Sequence, residues 1–286
     1  MIILKIILVL LILFLLLLLE SDRELKKVKL TEYRFENKKT EGKPLGKSFI
    51  FMSDFHEAVK GKLNNRIIEM VRESKPDFIL IGGDMINGGE EDEDITPAVS
   101  LIKELSKEAR IYMASGNHEM KLREGFYGSK VLWDRYYGEI KDYVTYIDDT
   151  SIQPLEGVPI TVYGLDLEYD YYKRLVERSL SVEKIEEHVG KPDKSRLNIL
   201  LAHNPEYFKS YTAWGADVIL SGHFHGGMIR LPIFGGVISP KLTLFPKYDY
   251  GCYTENDSKM FLTSGLGQHS IKIRFNNIPE IVLVRM

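Results

Sequence analysis

Three short apolar runs, each closed by polar residues, constrain this chain more than anything else in it. They are Ser48-Phe49-Ile50-Phe51-Met52, Phe78-Ile79-Leu80-Ile81 and Ile111-Tyr112-Met113-Ala114. Continuous rather than alternating runs of this length predict strands buried on both faces, as in sheets covered by helices. Helical patterns lie between them. Leu63, Ile67, Ile68 and Val71 share one face of a helix closing near Lys75-Pro76. After an acidic loop, Glu90 to Asp94, Thr96 is expected to cap a second helix with Pro97 in its first position. That helix runs to about Ala109 and carries Val99, Leu101, Ile102 and Leu105. Strand, helix, strand in succession predicts an α/β layered domain.

The rest of the chain is less regular. A helix is expected over 130–141, short strands over 143–147 and 160–163, and a charged helix from Tyr171 to His188. Further strands are expected over 197–201, 216–220, 228–231, 260–263 and 281–284. With 286 residues and 44% hydrophobic content, the chain can bury one sizeable core. The net charge of −3 lacks the basic footprint that nucleic-acid binding needs, so no nucleic-acid partner is expected. The single cysteine, Cys252, excludes an intrachain disulfide and a cysteine zinc cluster.

Chemistry-bearing residues collect at the strand ends. Asp54, His56, Asp84, Asn117, His118, His203, His223 and His225 all fall just after predicted strands. Of seven histidines, only His188 and His269 stand elsewhere. In open α/β sheets ligands gather beyond the carboxyl ends of strands, where these residues can converge. A polar group buried there costs free energy unless it is satisfied, and coordination satisfies it. Imidazoles, carboxylates and one amide oxygen, without thiolate, suit two divalent ions such as Mn, Fe or Zn. Two such ions can bridge a hydroxide and clamp the phosphoryl oxygens of an in-line displacement, with a shared carboxylate between them. Asp84 is the best placed to be that bridge. Taken singly, an Asp after a strand caps helices and an Asn-His pair can be a turn; five such segments together are not explained so simply.

The first residues carry a different message. Ile2 to Leu19 are apolar except for Lys5, about 27 Å as a helix, close to the thickness of a hydrocarbon core. No small-residue cleavage site follows, since the run ends Leu19-Glu20-Ser21-Asp22. An uncleaved transmembrane anchor over 1–20 is expected. A charged connection over 21–47 follows, with Gly42, Pro44 and Gly46 and an edge strand within 28–35, and then a catalytic domain over 48–286. Arg23, Lys26, Lys27 and Lys29, counted literally, place the body of the protein in the cytoplasm.

Asp54-Phe55-His56, Gly83-Asp84, Gly116-Asn117-His118-Glu119, His203 and Gly222-His223-Phe224-His225 resemble the five ordered motifs of the calcineurin-like metallophosphoesterases. The resemblance runs from about Ser48 to the C-terminus. It implies a four-layer α-β-β-α sandwich of two mixed sheets. It also implies that Asp54, His56 and His225 hold one metal, that Asn117, His203 and His223 hold the other, and that Asp84 lies between them. His118 is then not a ligand but donates a proton to the leaving oxygen or steadies the transition state.

Departures from the family narrow the substrate. Protein phosphatases of the superfamily carry an Asp-Arg pair where this chain has Asn87-Gly88, which leaves the orientation of His118 to Asn87 or another group and makes phosphoprotein an unexpected substrate. Purple acid phosphatases carry a ligand tyrosine at the position of Asn87, so no iron-tyrosinate centre is expected. The ending, 226–232, 264–267 and 277–281, is similar to membrane-anchored bacterial phosphodiesterases, some resembling enzymes that cleave the pyrophosphate of UDP-2,3-diacylglucosamine. Phe224 and Met228 stand where Thr and Gln are more usual in that branch. This branch implies a phosphodiester or pyrophosphate substrate, lipid-linked or nucleotide-sugar in kind, and a domain outside the cytoplasm. Alternatives are a phosphomonoesterase of small molecules and a catalytically silent metal-binding scaffold. Gly226 and Gly227 are expected to leave room for substrate, Tyr248 to contact its headgroup, and Phe224 to face into packing.

Overall fold

The computed structural model describes residues 2–36, 39, 44–56, 62–89, 91–126, 130–174, 176, 178–267 and 273–286. Gly42, Glu90 and His269, named above, lie outside them. One six-stranded sheet takes the spatial order β1 (Lys29–Arg34), β14 (Glu280–Arg285), β2 (Ser48–Met52), β3 (Phe78–Ile81), β4 (Ile111–Met113) and β5 (Val144–Tyr146). The other takes the order β12 (Gly251–Glu255), β13 (Ser258–Leu262), β9 (Val218–Ser221), β8 (Leu197–Ala202), β7 (Ile160–Leu165) and β6 (Thr150–Ile152). β2 through β5 are parallel, as are β7 through β9, while β14 meets β2 antiparallel and β6 meets β7 antiparallel. Both sheets are therefore mixed, and each has a parallel centre whose carboxyl ends can share one site.

Strand period explains the layering. On β2, Phe49 and Phe51 point between the sheets with Phe78, Leu80, Ile199 and Leu220, while Ile50 and Met52 point outward. The outward set meets α2 (Lys62–Ser74), α3 (Thr96–Leu105) and α5 (Lys130–Ile140). Across the molecule, Leu200, Ile219 and Met260 meet α6 (Val182–Val189) and α7 (Phe208–Trp214). Every residue of β2, β3, β7, β8 and β9 is buried, which is why their runs read as continuous. Each such large side chain contributes roughly 1.5–3 kcal/mol by leaving water. The result is the expected four-layer α-β-β-α sandwich.

Three local expectations change. Thr96 is the first helical residue of α3 rather than its cap; Asp94 Oδ1 accepts its N–H at 3.1 Å. The charged helix over 171–188 reduces to a 3₁₀ turn, Tyr169–Tyr172, and α6. Ser181 starts α6 by accepting the Lys184 N–H at 3.2 Å, and a serine that caps a backbone N–H in this way ends the preceding non-helical stretch. The strand over 228–231 shortens to β10 (Arg230–Leu231), paired with β11 (Gly235–Gly236), because Met228 closes the 3₁₀ turn His225–Gly227 with left-handed backbone, φ 53°, that no strand residue adopts.

At the other end of the chain, α1 (Ile2–Leu25) exposes most of the apolar side chains described between Ile2 and Leu19. Its last turns do not follow suit. Ser21 and Glu24 are buried, accepting N–H groups of Arg274 at 2.8 Å and Asn277 at 2.9 Å. β1 then lies at the edge of the first sheet, parallel to β14.

Candidate metal centre

The polar residues expected at the strand ends converge on one point between the two sheets. Asp54 and His56 follow β2, Asp84 follows β3, and Asn117 and His118 open α4 (Asn117–Glu124) after β4. His203 follows β8, and His223 and His225 follow β9. Five of them hold left-handed backbone: Asp54 at φ 55°, His56 at 43°, Asp84 at 54°, His223 at 69° and His225 at 48°. Non-glycine residues in that region cost about 1–3 kcal/mol each and persist only where their surroundings overdetermine them. Here the surroundings are visible: Asp54 N–H donates to Gly83 O at 3.0 Å and His56 N–H to Asp84 O at 3.2 Å. The His223 N–H donates to both Asp54 carboxylate oxygens, at 2.9 and 3.1 Å, tying the second sheet to the first.

Glycines allow this approach. A Cβ at Gly222 would lie 2.2 Å from Asp54 Oδ2, and one at Gly116 2.3 Å from Asp84 Oδ1. No other residue fits at either position.

Asp54, His56 and His225 form one group of donor atoms within 4.8 Å of one another, and Asp84, His203 and His223 form a second. Asp84 connects them, with Oδ2 3.0 Å from His203 Nε2, 3.7 Å from His56 Nε2 and 3.9 Å from His118 Nε2. The imidazoles are aimed by backbone carbonyls. His203 Nδ1 faces Gly82 O at 2.7 Å, His225 Nδ1 faces Gly267 O at 3.2 Å, and His118 Nδ1 bonds Asn87 O. With Nδ1 donating to a carbonyl, the neutral ring presents its Nε2 lone pair to the cluster.

Charge at the site favours cations. Burial raises the Asp84 carboxyl, but His203, His118 and His56 hold it well below the ordinary carboxylate range. Burial pushes His203 down, yet Asp84 and Asp54 outweigh it and raise the group to about 9. Burial lowers His223 well below its usual value and lowers His225 too, keeping them in the neutral form that binds metals. Among the described residues, His223 Nε2 and Asn117 Oδ1 are buried without a hydrogen-bond partner. Buried acceptors left over beside two carboxylates fit divalent cations.

The cluster floors a cavity of about 70 Å³ that opens past His118, Lys121, Tyr172 and Arg174 into a second of about 460 Å³. Lys121, Arg174 and Lys241 stand on its walls, and sequence reasoning missed all three. Lys121 had a signal, since it lies one helical turn after Asn117 on the same face. Arg174 and Lys241 had none, because they arrive from segments far along the chain. Glu119 and Arg274 were missed as supports. Glu119 accepts N–H groups of Asp84, Met85 and Gly116 at 2.8, 2.7 and 3.0 Å; burial and Asp84 push its carboxyl up to about 7. The fully buried Arg274 donates to the carbonyls of Ser264, Gly265, Gly267 and Asn277, holding the loop whose Gly267 O aims His225. Burial lowers its guanidinium to about 10.

Other expectations shift. Gly226 and Gly227 leave no open room: a Cβ would meet Asn277 Oδ1 at 2.3 Å and Gly236 Cα at 2.5 Å. They serve close packing behind the site. Tyr248 is a buried core residue, edge-on to Phe208 at 5.8 Å, away from the cavity lining. Asn87 does line the larger cavity, and it is its carbonyl that orients His118. Phe224 is buried, as expected.

Comparison with known proteins agrees with this geometry. The family model for calcineurin-like phosphoesterases matches residues 47–227. The Bacillus subtilis protein YpbG is 26% identical over 90% of this chain and 87% of its own length. A Helicobacter pylori metallophosphoesterase is 26% identical over 83% of this chain, which spans 59% of that protein. The UDP-2,3-diacylglucosamine pyrophosphatase LpxG of Chlamydia trachomatis is 36% identical, over 30% of this chain and 28% of its own.

Proposed function

The chain belongs to the calcineurin-like phosphoesterase family, and from that premise we propose that its strand-end cluster is a dinuclear metal centre hydrolysing phosphodiester or pyrophosphate bonds. That it is a metallophosphoesterase follows from the family itself. The observation carrying the finer reading is the meeting of two donor triads, Asp54-His56-His225 and Asp84-His203-His223, across Asp84. Asp54, His56 and His225 would hold one divalent ion, and Asn117, His203 and His223 the other, with Asp84 shared. When bound, two such ions supply an activated water and clamp the phosphoryl oxygens.

The chain's own residues do the rest. His118 donates Nδ1–H to Asn87 O, so Nε2 carries a proton only in the imidazolium form. That is the form able to pass a proton to a departing oxygen. Arg174 and Lys121 stand where a second phosphate or ester oxygen would lie, a role for charge-assisted hydrogen bonds. Lys121 and Arg174, two wall cations beside the donor cluster, support a second phosphate, as in a pyrophosphate. The likeness to LpxG and the exposed apolar α1 support a lipid-linked substrate and a single-pass anchor in the cell membrane. We place the catalytic domain outside the cytoplasm; alkaline phosphatase fused at the C-terminus should be active in cells and a fluorescent protein dark, and the reverse pattern overturns this.

Full-length protein in detergent, stripped with a chelator, should lose hydrolysis of bis-p-nitrophenyl phosphate and regain it with Mn²⁺ at two ions per chain. Folded protein that cleaves no phosphodiester with any divalent ion would sink the reading.

A further inference from the structure

An exposed apolar lobe sits between the end of α1 and the cavity. Ile233 is fully exposed, and Phe234, Leu242, Leu244 and Phe245 are each more than half exposed, at 71%, 51%, 64% and 53%. They belong to one compact unit. β10 pairs with β11, Phe245 N–H donates to Val237 O at 2.9 Å, and the rings of Phe234 and Phe245 lie 6.4 Å apart. So many large apolar side chains on one surface mark an interaction site rather than scatter.

The base of the lobe is fixed to the place where α1 ends. Arg230 N–H donates to Phe275 O at 2.9 Å, and the neighbouring Arg274 and Asn277 N–H groups donate to Ser21 and Glu24 of α1. Tyr250 makes a second link, its ring held between Lys29 Nζ and the Arg230 guanidinium, each 4.8 Å from the centroid. Only Lys26, Lys27 and Val28 separate α1 from β1, a reach of about 10 Å at most. The apolar part of α1 ends at Leu19, two residues before Ser21. If α1 spans a bilayer, the segment at Arg274 and the base of the lobe lie at headgroup level. The lobe also reaches the site: its Pro240 and Lys241 line the cavity above the candidate metal centre.

We propose that the 231–245 lobe dips into the membrane leaflet from which α1 emerges, so that the cavity takes its phosphate ester directly from a lipid in that leaflet. This rests on α1 being a membrane anchor and on the phosphoesterase reading of the site. The lobe's aliphatic and aromatic tips would enter the boundary of headgroup and acyl chains, roughly 5–10 Å deep. Lys241, held by Glu206 at 2.5 Å, would mark the path of the lipid phosphate toward the metals.

The test uses the full chain in nanodiscs, with the buried Trp133 and Trp214 as background. Phe234→Trp should add emission that lipids brominated near the glycerol backbone quench by about half, as they quench Leu16→Trp, a control within α1. An unquenched Phe234→Trp beside a quenched control, with or without self-association through this face, overturns the proposal. A triple variant, Ile233→Ser, Phe234→Ser and Phe245→Ser, should lose about tenfold in cleavage of a nitrophenyl phosphodiester lipid while hydrolysis of bis-p-nitrophenyl phosphate stays within about twofold. Equal rates on the lipid for wild type and variant also overturn it. A wild type that cleaves neither substrate removes the phosphoesterase reading instead, and the quenching then decides the lobe alone.

Discussion

The floor of the cavity and its rim are built on opposite principles. On the floor, Asp54, Asp84, His203 and His223 are buried, strained or both, and the bonds of His223 N–H to Asp54 and of His203 Nδ1 to Gly82 O tie the two sheets together there. On the rim, Lys121, Arg174 and the 231–245 lobe come from a helix, a turn and a hairpin, with Arg174 exposed to solvent. A reacting centre has to be rigid to within fractions of an ångström, whereas a rim that admits different substrates does not.

Substitutions can break or sharpen that contrast. His118→Ala, on the floor, should lower kcat for a phosphodiester by about 10²–10⁴-fold with metal content unchanged, the outcome expected of the proposed proton donor rather than of a ligand. Metal loss in step with activity, measured by plasma emission, would make His118 part of the coordination instead. Arg274→Met, behind the floor, should destabilise the fold by about 3 kcal/mol, since it strips donors from four buried carbonyls. Thermal melts read this, and affinity for a metal at the proposed Asp54-His56-His225 group should fall with it. Arg174→Ala, on the rim, should reduce kcat/KM about tenfold, chiefly through KM, and leave the melting temperature alone. A loss in kcat as large as that of His118→Ala would move Arg174 to the floor. Tyr248→Phe should stay within about 0.5 kcal/mol in stability, with KM unmoved, because its ring packs in the core. A clear rise in KM would restore the substrate contact first expected of it.

The same contrast governs what could be read in advance. Asp54, Asp84 and Asn117 were legible because each is fixed by its own strand: an apolar run ends, the chain turns, and a polar residue must stand at the mouth. Glu119 stands within its motif, but its bonds to Asp84 and Met85 appear only when β3 and β4 lie side by side. Gly226 and Gly227 read as open space because a missing side chain looks the same in sequence whether it admits a ligand or another strand. The left-handed φ values and the packing of Asn277 decide for the second.

The sequence by itself therefore determined the layered α/β fold, the donor set and the apolar α1. Those follow from local periodicity and from residue types whose chemistry has few other uses. Only the tertiary structure decided that Asp84 Oδ2 lies 3.0, 3.7 and 3.9 Å from the Nε2 atoms of His203, His56 and His118, that Asn87 holds His118 through its carbonyl, that Arg274 supports the floor, and that the last turns of α1 are fixed to the segment at Arg274 and Asn277. Each of these depends on segments separated by tens to hundreds of residues meeting at one point. Such meetings are set by how two sheets pack, and no local pattern along the chain records them.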